Sequence, residues 1–423
     1  MKKEYQKVAS YEAVKGEVKK VVLLYSGGLD TSCMLKWLQE EYRIEVITLT
    51  LDLGQQEDDL EAIKQKALKF GAVKAFIIDT KDEFANEYLD PLIKANCSYQ
   101  GDYHVSTVSR PLMAKWAVKI AEQEGADTIA HGCTGKGNDQ VRIEGTALTL
   151  NPKIRIIAPV REWSFGRDEE IEYAKKYSIP VTASVDFPYS VDDNMWGMTW
   201  EGGEIEDPGK IPQIKKFLTT HTLPENAPDE PEYIKLELEK GIPVSLNRER
   251  LKLADLIIKL NRLAGKHGAG IVHHIEDRVV GLKVRGVYEM PAAHVIIEAH
   301  KNLEKYVCTR MENEIKSIMD IKWAYICYGG LWNEPLMDDI NAFNNKINEK
   351  VTGTVTVKLF KGKVDVVAME SPFALYDSRL ATFMKDYTFN QNASPGFIEI
   401  YTLQMNLANQ IKNKQSDTYE NVG

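Results

Sequence analysis

The stretch KKVVLLYSGGLDTS, residues 19–32, runs from a short apolar segment into a Gly-Gly turn and out through acid and hydroxyl side chains. Val21 to Tyr25 reads as a buried strand, and Met34, Leu35 and Leu38 repeat at helical spacing beyond the turn. Asp30 and Thr31 stand where a helix cap is expected. Gly27 and Gly28 let the backbone turn tightly and aim successive N–H groups inward, which makes an anion nest. The helix start adds the positive end of its dipole, and the hydroxyls of Ser26, Thr31 and Ser32 add donors. Asp30 would repel a pyrophosphate directly, so it is expected to cap the helix or to hold Mg²⁺ against the phosphates.

Working outward, IEVITLTL (44–51) reads as a second strand, EDDLEAIKQKALKFG (57–71) as a helix with a glycine stop, and KAFIID (74–79) as a third strand. DTIAHG (127–132) and IRIIAP (154–159) supply two more. Strands alternating with helices predict an α/β domain with a mostly parallel sheet covered on both faces. Ligands in such sheets sit at the carboxyl ends of strands, where both YSGGLDTS and AHGCTGKGND fall. Beyond residue 187 the pattern changes. Residues 188–231, rich in Pro, Gly and acids, are expected to be an irregular connection. EYIKLELEKGIPVSLN (232–247), VVGLKVRGVYEMP (279–291) and VTGTVTVKLFKGKVDVVAM (351–369) read as antiparallel pairs, and ERLKLADLIIKLNRLAGKHG (249–268) as a helix. The division expected is an N-terminal extension (1–19), a nucleotide-binding domain (20–187), an α+β second domain (188–402) and a C-terminal helical tail (403–423).

The composition narrows the class. Among 423 residues, 53 Lys and Arg against 62 Asp and Glu leave a net charge of −9, which does not favour nucleic acid over the whole surface. No window approaches the roughly 18 consecutive apolar residues of a membrane helix. The basic N-terminal segment has no apolar core and is not expected to be a secretory signal. Five scattered cysteines without a C-x-x-C suit reduced thiols in a cytoplasmic protein.

HGCTGKGNDQVR (131–142) is the most specific string in the chain. Its three glycines expose backbone amides, Lys136 and Arg142 bring positive charge, and Asn138 and Asp139 offer acceptors at a helix start. There is no G-x-x-x-x-G-K-[ST] loop, since Gly132 to Gly137 has the wrong spacing, and no G-x-G-x-x-G after a strand. SGGLDTS resembles the SGGxDS signature of the ATP-pyrophosphatase (PP-loop) family, which cleaves ATP to AMP and pyrophosphate. The second string resembles the HGATGKGNDQVRFE segment of the argininosuccinate synthase family. So do SRP (109–111), IAPVREW (157–163), PYSVDDNMWG (188–197), EGG (201–203), GLKVRGVYEMP (281–291) and LFKGKV (359–364), in order along the chain.

The resemblance implies an ATP-dependent carbon–nitrogen ligase that adenylates citrulline on its ureido oxygen, releases pyrophosphate, and lets the amine of aspartate displace AMP. It places ATP contacts on Leu24, Tyr25, Ser26, Gly27, Gly28, Leu29, Asp30, Thr31, Ser32, Leu51 and Gly132. Aspartate contacts fall on Thr134, Asn138 and Asp139. Citrulline contacts fall on Tyr103, Thr107, Asn138, Arg142, Ser190, Thr199, Glu276 and Tyr288. Asp30, Asp139 and Arg142 carry the catalytic expectation. Because the family's Tyr-Leu-Leu-Gly-Thr-Ser is one residue shorter here, Ser106 competes with Thr107. The resemblance also implies Mg²⁺ with ATP, no other metal, and a homotetramer with C-terminal helices crossing between subunits. An arginine for a carboxylate and an acid for an ammonium suit an amino-acid substrate.

The chain departs from the family's GxGRxDxxENR at Ile271 and His273, close to Glu276. The change is either an ion pair replaced by packing or the mark of a paralogue with another ureido or amide acceptor. His273 and His274 face opposite sides of a strand and cannot clasp one metal. Cys133 reads as a tolerated small side chain, because the chemistry needs no thiol. A PP-loop RNA-modifying enzyme is the rival reading, disfavoured by the charge and by the lack of paired cysteines.

Overall fold

The strand and helix expected around the Gly-Gly turn form as β1 (Lys20–Leu24) and α1 (Leu29–Trp37) in the computed structural model, which describes residues 5–55, 59–163, 165–180, 188–382 and 389–420. β1 is the centre of a five-stranded parallel sheet with β2 (Glu45–Asp52), β3 (Lys74–Asp79), β4 (Thr128–Ala130) and β5 (Arg155–Ile157), in the order β3-β2-β1-β4-β5. Alternate residues of β1 enter two separate cores. Val22 and Leu24 pack toward α3 (Ser109–Glu124) and α4 (Asp139–Leu150), while Val21 and Leu23 pack toward α1 and α2 (Leu60–Lys69). A central strand apolar on both faces belongs to a doubly covered sheet. Strand order reverses between β1 and β4, which pair through Leu23 and Ala130, so the chain leaves both strands side by side at a switch point. The N-terminal segment bridges Glu12 to Ile156 of β5 and so covers part of that edge.

Two antiparallel sheets follow. One has the order β11-β12-β7-β6, from β6 (Tyr189–Asn194), β7 (Gly197–Gly202), β11 (Ile271–Asp277) and β12 (Lys283–Glu289). The other has the order β10-β9-β8-β13-β14, from β8 (Glu232–Glu239), β9 (Ile242–Leu246), β10 (Glu249–Arg250), β13 (Gly353–Phe360) and β14 (Lys363–Glu370). The apolar stripe of α5 (Leu253–Lys266), with Leu256, Ile257, Leu260 and Ala264, lies in the main core beside α6 (Pro291–Val307). α7 (Arg310–Tyr328), opened by a Thr309–Glu312 capping box, and α8 (Pro335–Asn348) complete this part.

Of the region 188–231, expected to be an irregular connection, the first part instead forms the β6–β7 hairpin, while residues 203–231 hold only short turns. Its strand pattern is masked because one face of the hairpin is polar, carrying Ser190, Asp192 and Glu201. The boundary expected after residue 187 falls at residues 181–187, outside the described residues, as does the end of the tail at 421–423. The chain forms two units, Met1–Phe373 with all three sheets and Ala374–Gly423 with a helix at Leu403–Glu420.

Candidate active site

The turn after β1 is built by its own hydrogen bonds. Tyr25 N–H donates to Leu49 O (2.9 Å), and Thr50 Oγ1 donates to Tyr25 O (2.7 Å), which ties the start of the turn to β2. Ser32 Oγ donates to Gly28 O (2.7 Å) and lies 3.0 Å from the Tyr25 hydroxyl. Ser26 and Thr31 hydroxyls meet at 3.2 Å. Lys66 Nζ donates to Gly27 O (2.6 Å). Asp30 is not the cap that was expected: Gly28 occupies that position without a side-chain bond, and Asp30 lies exposed in the first turn, where its charge suits the dipole. Leu24 and Leu51 are buried near the ends of β1 and β2, and Leu29 is buried at the start of α1, so their side chains belong to the core.

Beside this turn, the loop after β4 is pinned by a buried histidine. Cys133 N–H donates to His131 Nδ1 (3.2 Å), so the proton sits on Nε2, which faces Glu144 Oε1 at 3.0 Å. Arg161 Nη1 donates to the same oxygen (2.7 Å). Gly135 and Gly137 have no atom closer than 3.8 Å to an added Cβ and no positive φ, so the fold itself does not require glycine there. Glycine at such positions leaves room for another molecule against the backbone. Burial pushes the Cys133 thiol well above its ordinary range, so it stays protonated and is a poor nucleophile.

Asp139 opens α4 and receives two guanidiniums. Arg110 Nε donates to Oδ2 (2.9 Å), and Arg142 Nη1 donates to Oδ1 (2.7 Å). Burial alone would raise the Asp139 carboxyl, but Arg110 and Arg142 override it and hold it far below the usual carboxylate range. Arg110 also pairs with Asp192 of β6 (2.5 Å), so one buried side chain ties α3, α4 and the second domain together. The turn after β11 docks on the same loop: Val279 N–H donates to Asn138 Oδ1 (2.9 Å), and Arg278 Nη1 donates to Lys136 O (3.3 Å). Arg278 also bonds Glu201 (2.5 Å) and lies 3.6 Å from Glu276.

Register decides what the second domain presents. Directly paired residues share a face, and the face alternates along each strand. Ser190 pairs with Glu201, Asp192 with Thr199, Thr199 with Tyr288, and His274 with Gly286. Ser190, Thr199, Glu276 and Tyr288 therefore lie on one face, together with Asp192, Glu201 and His274. Ile271 and His273 lie on the other, where Ile271 packs on the cluster of Met198, Trp200, Phe217 and Val287. The departures from the family pattern thus sit on the side away from Glu276.

Against the first face stands Tyr103, whose ring is 4.4 Å from Tyr288, and the buried Arg142 and Glu276 both act on its phenol. The Tyr103 hydroxyl reaches Ser106 Oγ at 3.1 Å and Thr107 Oγ1 at 3.3 Å. Ser106 is buried and Thr107 half-open, which leaves Thr107 the accessible hydroxyl. Burial raises the Tyr103 phenol to about 12, so it is neutral and can donate. Thr134 is exposed on the glycine loop, Gly132 is half-buried against Met34, and Ser190 is exposed. Arg110, Asp192, Arg278 and Tyr328 were not expected from the sequence. Arg110 and Asp192 lay inside SRP and PYSVDDNMWG, but their partner is far away in the chain.

A parallel sheet that offers an anion-binding turn at its switch point, with a buried arginine, Arg142, on its helix α4 and a buried acid, Glu276, on the antiparallel sheet, defines a nucleotide-dependent enzyme joining small molecules. A family profile described as Arginosuccinate synthase N-terminal HUP domain matches residues 20–180, and one described as Arginosuccinate synthase C-terminal domain matches residues 189–408. The argininosuccinate synthase of Geobacillus thermodenitrificans is 50% identical over 405 residues, covering 96% of this chain and 99% of the relative. That of Pyrococcus furiosus is 51% identical over 390 residues, covering 92% and 94%. The chain belongs to the argininosuccinate synthase family, and it is an ATP-dependent ligase.

Proposed function

We propose that the site joins citrulline to aspartate through citrullyl-AMP. The citrulline ureido oxygen attacks the α-phosphorus of ATP and the bond to pyrophosphate breaks. The aspartate amine then attacks the ureido carbon, loses a proton, and AMP departs to leave argininosuccinate. The turn Ser26–Ser32 holds the phosphates, with Leu24, Tyr25, Leu51 and Gly132 beside the nucleotide. Among the described residues no group of three or more His, Cys, Asp or Glu is placed to hold a metal. One exposed carboxylate, Asp30, suits Mg²⁺ that arrives on ATP and keeps phosphate and water ligands. Such an ion would neutralise phosphate charge.

Thr134, Asn138 and Asp139 take aspartate. Asp139, fixed as a carboxylate by two arginines, orients the amine; a nearby anion favours the ammonium, so it is not assigned as the base. Citrulline lies against Tyr103, Thr107, Asn138, Ser190, Thr199 and Tyr288, with Arg142 for its carboxylate and Glu276 for its ammonium. The observation that carries this reading is the shared sheet face: Ser190, Thr199, Glu276 and Tyr288, one from each of four strands, lie on it, and Tyr103, packed on Tyr288, feels the charges of both Arg142 and Glu276. Losing the charge of Glu276 costs about 1.5–3 kcal/mol. Glu276→Gln should therefore raise the citrulline KM roughly 10- to 150-fold and leave the ATP KM nearly unchanged. Pyrophosphate release measured against each substrate tests it, and equal changes in both constants would refute it.

The protein acts in the cytoplasm as a homotetramer. Cys33, Cys97, Cys308 and Cys327 are buried, and no described helix is long and apolar enough to cross a membrane. The Leu403–Glu420 helix exposes Leu403, Met405, Leu407 and Ile411, an apolar set that supports subunit packing.

A further inference from the structure

Arg142 is held on three sides. Its Nε donates to the main-chain carbonyl of Tyr328 (3.0 Å), its Nη1 donates to Asp139 (2.7 Å), and its guanidinium carbon lies 4.8 Å from the centre of the Tyr328 ring. Nη2 is buried and has no hydrogen-bond partner among the described residues. The Tyr328 ring is itself stacked on Tyr99 at 3.6 Å and 5°, and the Tyr99 hydroxyl donates to Asp277 O (2.7 Å). Two residues further on, Gly330 has φ +77°, and a Cβ there would come within 2.9 Å of Arg142 Cα and Cγ. The end of α7 is thus moulded onto Arg142 from below and from one edge.

We propose that Tyr328 is a positioning residue for citrulline selection, one that fixes the plane of Arg142 so that Nη2 alone is left to meet the substrate carboxylate. The inference rests on the reading that Arg142 binds that carboxylate. A buried guanidinium N–H without an acceptor is unfavourable in the free protein and is satisfied when an anion arrives. The aromatic face supplies attraction to the cation without consuming a donor, so it can set the plane while leaving Nη2 free. Because the carbonyl bond comes from the backbone, substitution at Tyr328 removes the ring and keeps that bond.

The test is steady-state kinetics of the full-length enzyme, followed by pyrophosphate release, with thermal unfolding of each variant. Tyr328→Met fills similar volume without a π face, and it should raise the citrulline KM about tenfold while kcat and the ATP KM stay within about twofold. Tyr328→Phe should restore the citrulline KM to within about threefold of the starting enzyme. Should the methionine variant not fold, Tyr328→Leu carries the same expectation. Arg142→Gln separates the two levels of the argument. If it raises the citrulline KM and the methionine variant does not, Tyr328 has no positioning role. If Arg142→Gln itself leaves citrulline unaffected, the assignment of Arg142 fails first. An equal rise in the citrulline and ATP constants for the methionine variant, or phenylalanine as impaired as methionine, also overturns the proposal.

Discussion

Gly27 and Gly28 are neighbours and are glycine for different reasons. Gly27 has φ +77°, and a Cβ there would lie 2.8 Å from Ile63 Cγ1, so the chain itself demands it. Gly28 has φ −66° and ψ 179°, a conformation open to any residue, and its Cβ would meet only Ser26 Oγ at 3.4 Å. Its smallness serves whatever approaches from outside. Gly27→Ala should therefore lower stability by about 1–3 kcal/mol, read by denaturant unfolding. Gly28→Val should fold normally and lose turnover by two orders of magnitude or more, on the order of 3 kcal/mol. The products released by the unaltered enzyme should be AMP and pyrophosphate, and ADP with orthophosphate would contradict the reading of this turn. Asp139→Asn belongs to the same scale. It should slow argininosuccinate formation more than pyrophosphate release without aspartate, and an equal loss in both would remove Asp139 from amine positioning.

At the scale of elements, β11 shows what alternation does. Ile271 and His273 are separated from Glu276 by only a few residues, yet they face the other way and one of them packs in an apolar cluster. Restoring the family pattern with Ile271→Arg and His273→Asp together should leave the citrulline KM within about twofold, and a larger change would mean that the strand transmits the substitution. The same alternation explains what the sequence could reveal. β1, its turn and the glycine loop were legible because each is contiguous, with local periodicity and turn chemistry. The hairpins at β8–β9 and β13–β14 were legible because their apolar alternation is plain. The β6–β7 hairpin was not, since its polar face imitates a loop. Nor was the Arg110–Asp139–Asp192 cluster, or the bond from Arg142 to Tyr328, whose partners stand 186 residues apart. Local spacing carries no information about pairs made only by folding.

Over the whole molecule, buried charge sets the response to pH. Asp320 lies in a network with Lys316, Glu304 and Asn96. Burial raises its carboxyl to about 7 from 3.8, Lys316 opposes the rise, and Glu304 adds to it. Between those values the folded state binds more protons than the unfolded one, so this group's contribution falls as pH rises from about 4 to 7. Asp320→Asn should flatten that part of a stability–pH curve measured by urea unfolding, and an unchanged slope would place the titration elsewhere. Glu289 works in the opposite sense. Burial would raise it, but His221, Thr220 and Trp200 hold it below its ordinary 4.5. Its contribution is present above that value and is lost as pH falls through the depressed one, so Glu289→Gln should weaken the acid limb. Sedimentation of a chain ending at Gln404 tests the tetramer, and an unchanged tetramer would show that the Leu403–Glu420 helix does not hold it.

The alternating face of β11 also makes this segment vulnerable to one kind of genetic change and indifferent to another. Exchanges of side chain at positions 271 and 273 can accumulate over generations without touching the face that carries Glu276. Deletion of a single codon there is different, because it inverts every later side chain of the strand and turns Glu276 outward. Descendants of this gene can drift in spelling at positions 271 and 273, but they cannot drift in length.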